Sequence, residues 1–364
     1  MTNLETRNID DPFIRFKKGR KKKTIVLLIL LFLLVFLVIL SLFLGTSGLS
    51  FAECFSSFFG GGEADSKLIV WNIRMPRILT AILAGGGLAI AGCIMQSTLK
   101  NPMASPSTLG ISNAAVFGAN FAIIALGAGV FHNTDGNSLS VSNPYLVSGS
   151  AFVFALLGTM LILLVSKARR FSPETVVLAG LAIGALFSSG ATLLQYFSLD
   201  TQVAAAIYWS FGDVSRASYP QIAIIGGTVA LCFLIFMLFS RSYNALALGD
   251  DVASSLGVKV PLLRFISLLM AALLSAVCVS FLGIIPFIGL LAPQIMKRII
   301  GSDAYFLIPS SLLAGAILLL LSDTLSRLIL QGASLPVGAL TSLLGAPMFL
   351  YMLLSNGKGR HARA

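Results

Sequence analysis

The chain has 364 residues, of which 57% are hydrophobic and 11% are charged, and its formal net charge is +11. Soluble domains carry about 25% charged residues, and larger soluble chains divide into domains with charged exteriors, so a soluble core cannot bury this much apolar surface. The composition therefore excludes an ordinary soluble protein. The basic excess is typical of the cytoplasmic loops of a polytopic membrane protein rather than of nucleic-acid binding.

The first predicted element is a membrane span that follows a basic arm, residues 1–23. The run from Ile25 to Leu44 contains one polar residue, Ser41. About twenty helical residues cross the roughly 30 Å of bilayer hydrocarbon, whereas a cleaved signal has a shorter apolar core and a small-residue cleavage site. We therefore expect an uncleaved span that faces lipid. The arm is expected to be cytoplasmic, to orient the span and to contact anionic lipid.

Hydrophobic runs bounded by polar residues, proline or glycine predict an all-α bundle of about ten spans within residues 24–355. Pro144, Pro220 and Pro261 are expected in first helical turns. The eighth run is short and contains Pro293, so a partly re-entrant segment is an alternative there. The expected limits are 24–44, 75–98, 107–128, 144–166, 174–197, 220–240, 261–284, 286–300, 304–325 and 336–354.

An even number of spans places both termini on one side of the membrane. In that arrangement all but five of the 25 Lys and Arg residues lie on the side of the termini. Cytoplasmic loops carry the excess of basic residues, so that side, with the tail 356–364, is predicted to be cytoplasmic. The five basic residues on the outer side are Lys67, Arg74, Arg77, Arg216 and Arg327.

Arg74 and Arg77 form an outward pair just before the second span. Three residues apart at an expected helix start, they share one helix face. The helix dipole disfavours cations at that end. The pair therefore indicates an acidic partner, and the alternatives are contact with lipid phosphate or simple solvation of the helix end.

The fifth span carries a stripe of small residues at every fourth position. Gly180, Gly184, Ser188 and Thr192 would lie along one face, which predicts close approach of another helix. These residues are candidates for helix packing or for lining a pathway.

Ionisable residues inside the spans are few. Asp323, near the outer end of the ninth span, is expected to pair with Arg327 four residues later, and His132 and His361 fall in a loop and in the tail. This set gives little support to an ion-coupled carrier, a membrane enzyme or a pathway for a bare metal cation. No G-x-x-x-x-G-K-[ST] motif occurs, so we expect no nucleotide bound directly to this chain. We also expect no bound metal, because metal-ligating side chains are scarce in the spans.

The longest internal cytoplasmic loop, residues 241–260, predicts a short helix. Gly249 breaks the chain, Asp250 or Asp251 is expected to cap the helix, and Gly257 is expected to end it. About seven residues are too few for a stable helix in water, so the helix needs a surface to dock on. An ordinary packed connector is the alternative. The residues of this segment are Gly249, Asp250, Asp251, Val252, Ala253, Leu256 and Gly257, with Val252, Ala253 and Leu256 expected on one face.

Four stretches, in order between about residues 45 and 355, together resemble the FecCD-type permeases of ABC importers for iron chelates and vitamin B12. The first contains the family-like R-x-P-R, A-G-x-x-Q and N-P-M-A-x-P-x-x-L-G patterns. A single glycine-rich match would be weak, but four matches in sequence are specific. They are RMPRILTAILAGGGLAIAGCIMQSTLKNPMASPSTLGIS (74–112), LGDDVASSLGV (248–258), GIIPFIGLLAPQIMKRIIG (283–301) and SLPVGALTSLLGAPMFLYMLL (334–354).

The resemblance implies the ten-helix bundle of a type II ABC importer permease, paired with a second permease that is identical or paralogous. Two cytoplasmic ATPases would dock on the 250–257 helices, and an extracytoplasmic binding protein would deliver the ligand. Arg74, Arg77 and Arg327 match family arginines that meet glutamates of the binding protein. ATP would then act only through the partner ATPase, and the chain itself would not be an enzyme.

The implied cargo is an iron–siderophore complex, with haem and cobalamin as alternatives. A secondary transporter that works without ATP is the alternative from another class. Three positions depart from the family pattern, which commonly has histidine at Gln294, alanine at Ser322 and glutamate at Ser334.

Overall fold

The computed structural model describes residues 12–45, 49–128, 143–329 and 335–358, and the regular secondary structure of these parts is helical, with one isolated bridge between Phe211 and Ile284. Ser334, His132 and His361 lie outside the described residues, as do 1–11 of the arm and 359–364 of the tail. The α-helices are α1 Pro12–Phe43, α2 Phe51–Phe58, α3 Ala64–Leu68, α4 Met75–Thr98, α5 Ile111–Asn120, α6 Pro144–Lys167, α7 Pro173–Tyr196, α8 Asp200–Ser210, α9 Tyr219–Leu238, α10 Ser240–Ala247, α11 Asp250–Ser255, α12 Val260–Leu282, α13 Ile288–Ile300, α14 Ala304–Ile329 and α15 Val337–Lys358.

Each predicted span overlaps a helix. Within the described ranges, seven helices are long and apolar enough to cross a membrane. The third and tenth segments give shorter apolar stretches, Ile111–Ala125 and Val337–Met352. The eighth gives α13, which at 13 residues reaches only about 20 Å at 1.5 Å per residue. The all-α polytopic architecture is therefore confirmed, while the count of ten crossings stays a prediction.

Helix starts follow the expected chemistry. Pro144, Pro220 and Pro261 all lie in first turns, where the missing proline N–H costs nothing. Asn143 caps α6 by accepting a hydrogen bond from the Leu146 backbone N–H at 3.1 Å. These prolines mark helix starts because their fixed φ suits the first turn.

The helix α1 begins at Pro12 and runs without a break through the predicted arm boundary at residue 23. Most of its span is exposed, with Phe32 74% exposed, and it packs mainly against α14. At its basic end Lys23 forms an ion pair with Asp303 at 3.2 Å. The exposed face agrees with a helix that borders lipid.

The helix α4 lies at the centre of the bundle, where it packs against α9, α12, α13 and α14. It continues from α3 through a π-helical segment, Ile69–Arg74, so the helix is unbroken from Ala64 to Thr98. The expectation that Arg74 and Arg77 stand at a helix start is therefore wrong. The helix continues N-terminal to them, which removes the unfavourable dipole argument.

We use "outer end" for the end of the bundle that carries Arg74 and Arg77, and "inner end" for the opposite end, which carries Lys100 and Asp250. The names follow the predicted orientation.

Candidate functional site

A buried charge cluster lies at the outer end, between α4 and α14. The Nε of Arg77 donates to Oδ1 of Asp323 at 2.6 Å, and the Nε of Arg327 lies 3.3 Å from Oδ2 of Asp323. Asp323 is 0% exposed. The expected pairing of Asp323 with Arg327 is confirmed, and the pairing with Arg77, 246 positions away, is an addition that the sequence did not indicate.

The same cluster holds the end of α1. Arg74 donates to the carbonyl of Leu42, and Arg327 donates to the carbonyl of Leu44 at 3.1 Å and to the Ser41 hydroxyl at 2.6 Å. The last carbonyls of a helix have no partners within the helix and carry partial negative charge. Two arginines therefore cap α1 and fix its end to α4 and α14, and Ser41, the lone polar residue of the apolar run, has a partner.

The three predicted docking residues are brought together, but they are buried. Arg74 is 4% exposed, and Arg77 and Arg327 are each 9% exposed. Their guanidinium groups bind groups of this chain rather than facing solvent. Their role in docking stays a prediction.

At the inner end, α11 presents an apolar surface to solvent. Leu248 is 70% exposed, Val252 43% and Leu256 64%, whereas Ala253 is fully buried. These three exposed residues, one within α11 and two flanking it, are called the coupling stripe below. The expectation that Ala253 shares a face with Val252 and Leu256 is wrong, because Ala253 packs inward and attaches α11 to the bundle.

The ends of α11 are set by two glycines with positive φ, Gly249 at 133° and Gly257 at 85°. The N–H of Val258 donates to the carbonyl of Ala253 at 3.0 Å, and the N–H of Gly257 donates to that of Ser254 at 2.9 Å. This is a Schellman motif, in which glycine avoids the cost of a left-handed conformation. The helix therefore ends at Gly257 as the sequence predicts.

The predicted aspartate cap is wrong. Gly249 occupies the cap position, no side chain caps the helix, and Asp250 is its first residue. The Asp250 carboxylate instead binds Lys100 at 2.8 Å and Arg264 at 2.9 Å. Partial burial opposes ionisation, but hydrogen bonds and positive charge from Lys100 and Arg264 outweigh it and hold the pKa of Asp250 below its usual value.

The small-residue stripe of α7 divides into two parts. Gly180 and Gly184 pack against the backbone of Leu109 and Gly110, close enough that an added Cβ would lie about 3 Å from it. Ser188 and Thr192 are exposed. The first two residues therefore lie in a helix contact, while the last two face outward from this chain.

Gln294, where the family commonly has histidine, links α13 to α4. Its amide donates to the side-chain oxygen of Gln96 and to the carbonyl of Pro102, both at 2.9 Å. Gln96 in turn donates to the carbonyl of Gly289 at 3.2 Å. A neutral amide thus satisfies this polar contact without a titratable group.

In the part of the chain that the structure describes, no group of three or more His, Cys, Asp or Glu side chains converges to hold a metal ion.

The model of the FecCD transport family matches residues 33–355. The chain belongs to this family. A protein of Methanocaldococcus jannaschii named as an ABC transporter permease is 46% identical over 340 residues, which is 93% of this chain and 97% of the relative. A solved structure described as a metal-chelate type ABC transporter, in an inward-facing conformation, has a TM-score of 0.77 and 27% identity and covers 91% of this chain and 99% of its own.

Family members named for different cargoes are equally similar to this FecCD permease. The iron(3+)-citrate import permease of Bacillus subtilis is 34% identical over 93% of this chain and 98% of the relative. The hemin transport permease of Yersinia pestis is also 34% identical, over 89% of this chain and 94% of the relative. The chain is thus an ABC importer permease, and identity alone does not select its cargo.

Proposed function

We propose that this chain is the transmembrane permease subunit of an ATP-driven importer that moves an iron–siderophore complex inward across the cytoplasmic membrane by alternating access. ATP is hydrolysed by a separate ATPase, so the chain is a transport subunit rather than an enzyme. Both termini and α11 face the cytoplasm. ATP binding shifts an equilibrium between two packings of the bundle, which changes the side that the pathway faces.

The coupling stripe is the observation that carries the proposal. All three side chains are exposed, with Val252 inside the six-residue helix α11 and Leu248 and Leu256 on either side of it. Burial of apolar surface contributes about 25 cal/mol per Å², and a helix this short gains its stability from packing rather than from propensity. A partner surface that covers the stripe would bury its apolar side chains and would also stabilise α11 by packing. The ATPase is that partner.

The assembly proposed here contains an ATPase dimer, an extracytoplasmic binding protein and a second permease, identical or paralogous, in surrounding lipid. Docking of the binding protein at Arg74, Arg77 and Arg327 stays a prediction. Because all three are buried, such docking requires that Asp323 and the end of α1 release their guanidinium groups.

Iron–siderophore cargo is supported by the iron(3+)-citrate relative, and the hemin relative keeps haem as an alternative beside cobalamin. Uptake of ferric siderophores, haem and cobalamin in a strain that lacks the gene distinguishes these cargoes. A secondary transporter is the alternative from another class. Cargo movement into liposomes by the purified chain without an ATPase would support it.

We expect the double substitution Val252→Ser, Leu256→Ser to reduce ATPase co-purification and ATP-dependent uptake at least tenfold, because it removes most of the apolar surface of the stripe. Membrane insertion should be unchanged, since neither side chain is buried in the bundle. ATPase recovered per permease by affinity purification is the measurement.

The matched control is Leu238→Ser, which changes a leucine that is 73% exposed at the end of α9 and is not part of the stripe. It should keep normal ATPase recovery. Equal recovery from the stripe variant and this control would show that α11 is an ordinary connector.

A further inference from the structure

We propose that Asp250 is the joint through which movement of α11 reaches α4, and that Lys100 and Arg264 are the residues that position it. The inference rests on the proposed function, since it assumes that an ATPase moves α11. It assigns to Asp250 a role separate from that of the coupling stripe, which would contact the ATPase.

The contacts of Asp250 fix the orientation of its carboxylate, unlike those of a single surface ion pair. Arg264 binds both carboxylate oxygens, with its two terminal nitrogens at 3.0 Å from Oδ1 and 2.9 Å from Oδ2. Lys100 adds a third contact at 2.8 Å. A bidentate arginine–carboxylate pair fixes orientation as well as distance.

Lys100 lies just beyond the inner end of α4, and Arg264 is hydrogen-bonded to that end. Arg264 is 3% exposed and its Nε donates to the carbonyl of Thr98, the last residue of α4, at 3.1 Å. Lys100 follows two residues later with a φ of 48°, a left-handed conformation that is uncommon for a residue other than glycine. One carboxylate therefore connects α11 with the end of α4 and, through Arg264, with α12.

Other connections of α11 to the bundle are few. Ala253 is its one buried residue, and its main packing is with its neighbours in sequence, α10 and α12. The contact of Asp250 with Lys100 is thus the long-range polar link, 150 positions apart, between α11 and the central helix. A displacement of α11 would be carried to α4 mainly at this point.

The helix α4 is suited to carry such a displacement. It has 24 residues and is about 36 Å long at 1.5 Å per residue. Its outer end is fixed by the pair between Arg77 and Asp323, so ion pairs hold both ends of this buried rod. Packed interiors transmit strain rather than absorbing it, so a shift at Asp250 is expected to alter the outer cluster.

The pair Asp250→Ala and Glu174→Ala tests the proposal in the complete transporter, with its ATPase and binding protein, in proteoliposomes. Glu174 is an exposed acidic residue in the first turn of α7, lies outside the segment on which the ATPase docks, and has no ion pair among the described residues. We expect Asp250→Ala to retain ATPase binding and ATP hydrolysis while the cargo moved per ATP hydrolysed falls at least tenfold. Glu174→Ala should keep the normal ratio.

Rescue separates a joint from a merely structural residue. Asp250→Glu keeps the negative charge and should restore most of the cargo moved per ATP hydrolysed. Lys100→Arg keeps the positive charge, so it should move more cargo per ATP hydrolysed than Lys100→Met. An unchanged ratio in Asp250→Ala, or an equal loss in both alanine variants, would overturn the inference while leaving the proposed function intact. A wild-type chain that recruits no ATPase would overturn the proposed function itself.

Discussion

Replacing Asp323 with alanine is expected to lower the free energy of unfolding by about 3–5 kcal/mol, the usual cost of removing one partner from a buried ion pair. Asp323 is 0% exposed and holds both Arg77 and Arg327. Without it two buried guanidinium groups remain next to each other with no anion between them. Denaturation of the purified protein in detergent, followed by helix content and by monodispersity, is the measurement.

Ser322→Ala provides the control for the Asp323 substitution. Ser322 is the preceding residue, is equally inside the bundle at 4% exposure, and uses its hydroxyl only on the Leu318 carbonyl of its own helix. Its replacement should change the free energy of unfolding by about 1 kcal/mol or less. If both variants denature at the same point, the charge cluster does not stabilise the outer end.

The features that the sequence predicted well are those with a local signal. Helix positions follow from hydrophobic runs, and the pairing of Asp323 with Arg327 follows from a spacing of four residues within one helix. The end of α11 at Gly257 follows from the conformational freedom of glycine. Each depends on neighbours along the chain.

The features that the sequence did not reveal are contacts between distant residues. Arg77 and Asp323 are 246 positions apart, and Lys100 and Asp250 are 150 apart. Counting basic residues assigns Arg77 to a side of the membrane but does not say whether it faces solvent or the bundle. The expected aspartate cap of α11 failed for the same reason, since the competing partners of Asp250 come from α12 and from the end of α4.

These distant contacts give the outer arginines a structural role that is separate from docking. A cation that caps α1 and pairs with Asp323 stabilises the chain without any partner, so its presence alone is no evidence for a docking surface. Charge reversal of Arg74 and Arg77 would disrupt these internal contacts together with any docking. Docking therefore has to be measured on variants whose unfolding is unchanged.

Replacing Gly92 with alanine is expected to separate α4 from α13 and to destabilise the bundle at the upper end of the roughly 1–3 kcal/mol range for overpacking. A Cβ on Gly92 would overlap the carbonyl oxygen of Gly289, a backbone atom that cannot rotate away. The two helices would have to move apart, which would also stretch the hydrogen bond from Gln96 to Gly289. Denaturation midpoint and ATP-dependent uptake both report the change.

Gly227→Ala is the matched control, because Gly227 lies within α9 and an added Cβ would meet nothing within 4 Å. Its free energy of unfolding should equal that of the unmodified chain or exceed it by up to about 1 kcal/mol, because alanine loses less backbone entropy than glycine in a helix. Close backbone contact between α4 and α13 predicts a large difference between the two alanine variants. Equal denaturation midpoints of the two variants would mean that α13 can move away from α4 without loss of stability. Gly289 would then not set the position of α4.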